Sequence, residues 1–330
     1  MLNSKTILIT GGTGSFGYRF SEYILNNFKK IKKIIIFSRD ELKQYNMSQK
    51  KPFLNNKKVR FFLGDIRDKD RMLRAFSNVD IVIHAAALKQ VPAAEYNPTE
   101  FIKTNIIGSQ NIIEASIDKN VKQVIALSTD KAVAPINLYG ATKLCADKLF
   151  IAANDYAGRS KYRFSVVRYG NVISSRGSVI PKFKEISNNT KINYFPVTHA
   201  DMTRFLITLD EGVKTVMFAL KNQLGGEIFI PKLPSIKVSQ ICKVLNPKKK
   251  IKYVGVRPGE KLHEELISKF DSENIIDIGK YYLILSNINF NKIKFNYSKK
   301  YKVKKVREHF SYNSLDNKKF LNLNEISKLI

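Results

Sequence analysis

Tyr139 and Lys143 stand four residues apart in Leu138-Tyr139-Gly140-Ala141-Thr142-Lys143. That spacing puts both on one face of a helix. An ammonium near a phenol favours phenolate and lowers the tyrosine pKa toward neutrality. Such a phenol can take a hydroxyl proton while a hydride leaves the same carbon. Just upstream, Ser128-Thr129-Asp130-Lys131 sets hydroxyls, an acid and an amine at the end of an apolar run. The plainer alternative is a surface Tyr–Lys pair, and the Tyr-x-x-x-Lys spacing alone is a common accident. A second motif argues against accident. In Thr10-Gly11-Gly12-Thr13-Gly14-Ser15-Phe16-Gly17, the residues Gly11, Gly14 and Gly17 recur every third position between an apolar strand and a helical pattern. Glycines permit a tight strand-to-helix turn and close backbone approach to a pyrophosphate, which the helix N-terminus then favours.

These residues need a frame, and the apolar runs supply one. Strands are expected at Thr6–Ile9, Lys33–Phe37, Val59–Leu63, Val79–His84, Lys122–Leu127 and Phe164–Arg168, with helices between them, such as Tyr18–Phe28 and Asn105–Ile117. Alternating β and α runs predict an α/β fold, a Rossmann-type doubly wound parallel sheet with a smaller C-terminal substrate-binding domain. Residues 1–170 are expected to form the cofactor domain. Residues 171–330 supply the substrate domain, with 204–220 packing back on the first. Ligands of such sheets gather beyond the carboxyl ends of the strands. Asp65, Ile66, Ala86 and Asn171 lie there, with small residues at 85–87 leaving room for a cofactor. The second strand ends at Ser38-Arg39-Asp40, where the adenosine ribose lies. An acid there suits NAD, and a base suits the 2′-phosphate of NADP. Ser38, Arg39 and Lys43 together tip the reading toward NADP(H); the alternative is a solvated basic loop.

Composition sets bounds. The chain has 330 residues and 44% hydrophobic content, enough for a substantial core. No apolar run reaches the about 18 residues of a membrane span. The opening residues lack a secretory pattern, so a cytoplasmic location and no membrane partner are expected. Cys145 and Cys242 form neither a disulfide framework nor a metal site. The formal net charge of +29 could mark an anionic partner. A lysine-rich coding bias explains it better, because Lys, Asn and Ile recur throughout. Nucleic-acid binding is not expected, since neither stacking aromatics nor a basic reading helix is evident.

The glycine motif with Tyr139-x-x-x-Lys143 resembles the extended short-chain dehydrogenase/reductases. Ser128-Thr129-Asp130-Lys131-Ala132 and Pro135 to Lys143 resemble the UDP-N-acetylglucosamine 4,6-dehydratases, most nearly the inverting branch that opens pseudaminic acid biosynthesis. Ala86 to Pro92, Met202-Thr203-Arg204-Phe205 and Arg257 to Lys261 match as well, and the likeness covers residues 1 to about 285. Within this superfamily, simple epimerases lack the Asp130–Lys131 pair. Deoxythymidine-diphosphate-glucose dehydratases carry Asp-Glu there, and other UDP-N-acetylglucosamine dehydratases replace the tyrosine by methionine.

The resemblance implies five catalytic residues: Thr129, Asp130, Lys131, Tyr139 and Lys143. Tyr139 would take the 4-hydroxyl proton and, later, reprotonate carbon 5. Lys131, made neutral by burial, would remove the carbon-5 proton, and Asp130 would protonate the departing 6-hydroxyl. NADP(H) would be held by Gly11, Thr13, Gly14, Ser15, Phe16 and Gly17, then by Ser38, Arg39, Asp40 and Lys43. Asp65, Ile66, Ala86, Lys89, Asn171, Tyr139 and Lys143 complete that set. Lys89, Lys131, Asn171, Val179, Thr198, Arg257 and Glu260 would hold UDP-N-acetylglucosamine. No metal is implied, and a homo-oligomer, dimer or hexamer, is. The segment Thr198-His199-Ala200-Asp201 departs from the family pattern, where an acidic–basic pair is common. His84 and His263 read as structural.

Overall fold

The computed structural model describes residues 2–157, 162–173, 175 and 177–330. Six apolar runs become parallel strands: β1 (Thr6–Thr10), β2 (Lys33–Ser38), β3 (Val59–Leu63), β4 (Ile81–His84), β5 (Gln123–Thr129) and β6 (Arg163–Tyr169). Their order is β3-β2-β1-β4-β5-β6, all parallel. This is the doubly wound order, in which chain direction reverses across the sheet beside β1. β1 and β4 are buried along their whole length, as strands covered by helices on both faces must be.

Seven helices accompany this part of the chain. α1 (Ser15–Asn27), α2 (Glu41–Ser48) and α3 (Lys69–Ala75) follow the first three strands. α4 (Val91–Tyr96), α5 (Pro98–Phe101) and α6 (Gly108–Asp118) follow β4, and α7 (Leu138–Tyr156) follows β5. The expected helix from Asn105 begins instead as a π-helical segment, Ile102–Ile107, that runs into α6. The first helix starts at Ser15, three residues before the apolar periodicity suggests, so Ser15, Phe16 and Gly17 form its first turn.

The rest of the chain is interleaved with this sheet more deeply than expected. It contains β7 (Asn171–Val172), β8 (Tyr194–Val197), β9 (Thr203–Ile207), β10 (Ile228–Pro231), β11 (Ser235–Lys237) and β12 (Lys250–Tyr253). β13 (Glu265–Ile267), β14 (Ile275–Asp277), β15 (Tyr281–Ile284), β16 (Lys304–Lys305) and β17 (Tyr312–Asn313) follow. β10 pairs parallel with β6, and β15, β14 and β16 extend the same sheet antiparallel to ten strands. β11, β9 and β7 form a small separate sheet, and β8 and β12 a two-stranded one.

The later helices are α8 (Val179–Asn188), α9 (Leu209–Asn222), α10 (Val238–Leu245), α11 (Phe290–Ser298) and α12 (Leu323–Leu329). α9 lies against α1, β5 and β6, tied to α1 by an ion pair between Arg19 and Asp210. A second core of Ile173, Ile180, Phe183, Phe195, Met202, Leu206 and Ile236 fills the smaller unit. The segment beyond residue 290, which sequence did not place, closes the fold. Tyr297 donates to Glu227, and the Tyr312 hydroxyl both accepts from the Leu233 amide and donates to its carbonyl. No helix among the described residues is long and apolar enough to cross a membrane.

Candidate active site

The turn from β1 to α1 forms the floor of a groove at the strand ends. Gly11 has φ +64°, and a Cβ there would lie 2.8 Å from the Ala86 amide nitrogen. Only glycine suits both the left-handed backbone and that approach. Gly14 caps α1 with no side-chain hydrogen bond, and the first turn of the helix has no acidic residue. Its positive end is therefore open to an anion. Thr13 is buried in the same turn. Gly17 packs onto Gly12, which brings helix and turn close.

At the next strand ends, Ser38 is buried and accepts from Gln44. Asp40 caps α2, accepting from the Lys43 amide and pairing with its ammonium. Arg39 remains half-exposed and reaches Asp65 at 3.4 Å. Burial would raise the Asp65 pKa, but hydrogen bonds from Arg67 and the charge of Arg39 outweigh it and hold the carboxyl low. Ile66 is buried against Gly108. These residues fit a dinucleotide: a cradle that a Cβ would fill, an uncapped helix end, and a guanidinium at the ribose position.

β5 delivers the chemistry. Thr129 ends the strand and opens a short 3₁₀ turn, Asp130–Ala132, its side chain accepting from the Lys131 amide. The Thr129 hydroxyl donates to Asp130 Oδ1 at 2.9 Å, and Lys131 Nζ donates to the same oxygen at 3.0 Å. Asp130 is 1% exposed, and its Oδ2 has no protein partner among the described residues. Burial raises its pKa, with the Lys131 charge opposing.

Asn137 caps α7 and, through its amide nitrogen, holds the Gly259 carbonyl at 2.7 Å. Tyr139, Lys143 and Asp147 follow on one face of that helix, all buried. Asp147 accepts from Ser128 and Arg168, fixing the helix to β5 and β6. Asp147, at i+8 from Tyr139, is a site residue whose helical spacing is legible in sequence.

Two electrostatic expectations need correction. Tyr139 is not lowered toward neutrality. Burial pushes the phenol up to about 12, while the charge of Lys131 and a hydrogen bond to Thr129 pull the other way. Lys143 is itself lowered by burial, with Asp147 opposing, and donates to the Leu127 carbonyl at 2.8 Å. Nor is Lys131 neutral. Burial favours the amine, but Asp130 and Glu264 flank Nζ at 3.0 and 3.1 Å and raise the pKa well above the ordinary lysine value.

Glu264 was missed from sequence. It lies 133 positions from Lys131 (264 − 131), just before β13, with a side chain 2% exposed. Arg204 on β9 stands 3.8 Å from Glu264 and 3.4 Å from Glu260, and Glu260 takes two hydrogen bonds from Arg257. Ion pairs thus run from the exposed Arg257 to the buried Asp130. Lys89 is exposed as a residue, yet partial desolvation and then the Lys131 charge lower its pKa. Asn171 opens β7 with its Oδ1 buried and unpartnered among the described residues, and Val179 starts α8 beside it. Thr198 lies just beyond β8, at the pair with β12. His84 is buried between Thr10 and Ser109 and held neutral, its pKa driven down to about 3 by burial and Lys143.

Residues 7–286 match the family described as "Polysaccharide biosynthesis protein". The chain belongs to that family, within the short-chain dehydrogenase/reductases. A Campylobacter jejuni relative named "UDP-N-acetylglucosamine 4,6-dehydratase (inverting)" is 50% identical, the match covering 100% of this chain and 98% of the relative. A Rickettsia bellii relative named "UDP-glucose 4-epimerase" is 42% identical, covering 100% and 96%. The solved structure of Pen from Bacillus thuringiensis superposes with a TM-score of 0.89 at 35% identity, covering 100% of this chain and 98% of that one.

Proposed function

We propose that this chain is an inverting UDP-N-acetylglucosamine 4,6-dehydratase using NADP(H) as a recycled cofactor. The observation that carries the reading is the ion pair of the buried Asp130 with the partly buried Lys131, whose charge also acts on Tyr139. Epimerisation at carbon 4 needs one proton-transfer group and a hydride acceptor. Dehydration needs a second acid and a second base, and this site has them. The Campylobacter relative named for that reaction supports it.

The cofactor would lie along Gly11 to Gly17, Ala86 and Ile66, with Arg39 toward the 2′-phosphate. Arg39 is half-exposed while Asp40 is occupied as a helix cap, which favours NADP over NAD. When bound, the cofactor would supply a hydride acceptor for carbon 4 and a hydride donor for carbon 6.

The chain's own residues move the protons. Tyr139, once ionised, accepts the 4-hydroxyl proton, and the ketone then acidifies the hydrogen on carbon 5. A proton passing from Lys131 to Asp130 across their 3.0 Å contact makes one a base and the other an acid. Lys131 removes the carbon-5 proton, and Asp130 gives its proton to the 6-oxygen, which leaves as water. Tyr139 returns its proton to carbon 5 on the opposite face, inverting it. Both pairs finish in the states in which they began. Thr129 steers Asp130 and Tyr139, while Lys89, Asn171, Val179, Thr198, Glu260 and Arg257 take the nucleotide-sugar. The Arg257 fork suits a diphosphate. The same reading makes this the opening step of pseudaminic acid biosynthesis, in the cytoplasm, by a homo-oligomer.

Incubation with UDP-N-acetylglucosamine in deuterated water tests it. The expected product has lost one water and carries inverted carbon 5 by proton NMR. Unchanged mass with inverted carbon 4 would show an epimerase, and retained carbon 5 a retaining dehydratase.

A further inference from the structure

We propose that Glu264 is a positioning residue that holds Lys131 as an ammonium against Asp130 and so sets the pH at which carbon 5 loses its proton. The inference rests on the dehydratase reading above. Its geometry is that of a clamp. Lys131 Nζ lies 3.0 Å from one buried carboxylate and 3.1 Å from the other. Asp130 belongs to the same turn, whereas Glu264 arrives from the far end of the chain. It is fixed in place: the Ser314 hydroxyl accepts from the Glu264 amide at 2.9 Å, and the Ser314 amide donates to the Glu264 carbonyl at 2.8 Å. Ser314 in turn meets Thr203, which meets His263. With its backbone held at both ends and its side chain 2% exposed, Glu264 is more than a solvent-facing partner.

The proton balance gives Glu264 its task. Transfer from Lys131 to Asp130 creates the base and the acid together, but it moves positive charge away from Glu264. Glu264 therefore opposes the transfer, and a shift of about one to three pKa units is typical of an opposite charge this close. The other groups facing Lys131 are Arg204 from β9 and Lys89 from the loop after β4, both lowering its proton affinity or lowered by it, and Tyr139 from α7. Lys261 and Arg204 also face Glu264 itself and keep it ionised. Burial would raise the Glu264 pKa, but those charges and Lys131 outweigh it and hold it low.

The test is the pH profile of turnover with UDP-N-acetylglucosamine carrying hydrogen or deuterium at carbon 5. The isotope effect confines the readout to removal of that proton. In Glu264→Gln the acidic limb should move down by about one unit or more, with KM changed less than about threefold. Glu264→Asp should restore the wild-type limb in part. Ser314→Ala keeps every charge but removes the hydroxyl that accepts from the Glu264 amide, one of the two bonds on that backbone. It should move the limb the same way by less, and it decides the matter if Glu264→Gln does not fold. A uniform loss of rate at all pH values, with the limb unmoved in either variant, overturns the proposal alone. No turnover by the wild-type protein overturns the dehydratase reading and this inference together.

Discussion

Replacing Lys131 by Ala separates the half-reactions and also exposes the electrostatics of the site. Oxidation at carbon 4 needs Tyr139, Lys143 and cofactor, so reduced nicotinamide should accumulate on the enzyme toward one equivalent, read by its absorbance. The variant also leaves Asp130 and Glu264 buried without their shared cation, a change that costs on the order of 3–5 kcal/mol. The Asp130 pKa, already raised by burial, then loses the opposing Lys131 charge and rises further. A raised carboxyl pKa gives stability that is present below the unfolded value of about 4 and lost as pH climbs through the folded one. Relative to wild type, Lys131→Ala should therefore melt progressively lower as pH rises above about 4; a constant difference in thermal midpoint would count against an uncompensated Asp130. At the cofactor, Arg39→Asp should cut NADP(H) affinity about tenfold or more relative to NAD(H) by titration; an unchanged ratio would remove Arg39 from the 2′-phosphate. Tyr139, Lys143 and the Asp130–Lys131 pair were legible because each is local, within a turn or two of chain. Glu264 was not, because its partner is far away in sequence. The protonation states were not legible either, because they depend on burial that only packing creates.

At the scale of elements, α7 and the turn after β5 are pressed together by one small residue. A Cβ on Gly140 would lie 2.2 Å from the Lys131 carbonyl oxygen. Gly140→Ala must push the turn off the helix, at about 1–3 kcal/mol for overpacking. It should lower the thermal midpoint and abolish turnover while cofactor binding survives. Normal turnover in that variant would mean the turn tolerates displacement. The strand-to-helix unit around Gly11 was readable, since apolar run, glycines and helical periodicity follow in order. The π-helical entry to α6 was not. There Asn105, buried, bonds both the amide and carbonyl of Leu88 and the hydroxyl of Thr142, a demand set by two other segments, the loop after β4 and α7, rather than by local propensity.

At the scale of the molecule, the last twenty residues are structural parts of the active site. Removing residues 311–330 deletes β17, its pairing with β13, and the Ser314 contacts on Glu264. The truncated protein should lose turnover far more than cofactor binding; equal activity would show that the segment is dispensable. Sequence could not place this tail, because its short strand, isolated bridge and single helix pack against β13, β11 and α10. The parallel order β3 to β6 could be anticipated from alternating runs, but the four strands added from the later chain could not. That addition has a mechanical consequence. Backbone from both halves of the chain shares one hydrogen-bonded layer, β6 joined directly to β10. Such a molecule cannot gape like a pair of jaws without tearing a ladder. Admission of a bulky substrate is left to the rim, the small sheets and the Arg257 loop, moving over an anvil that stays still.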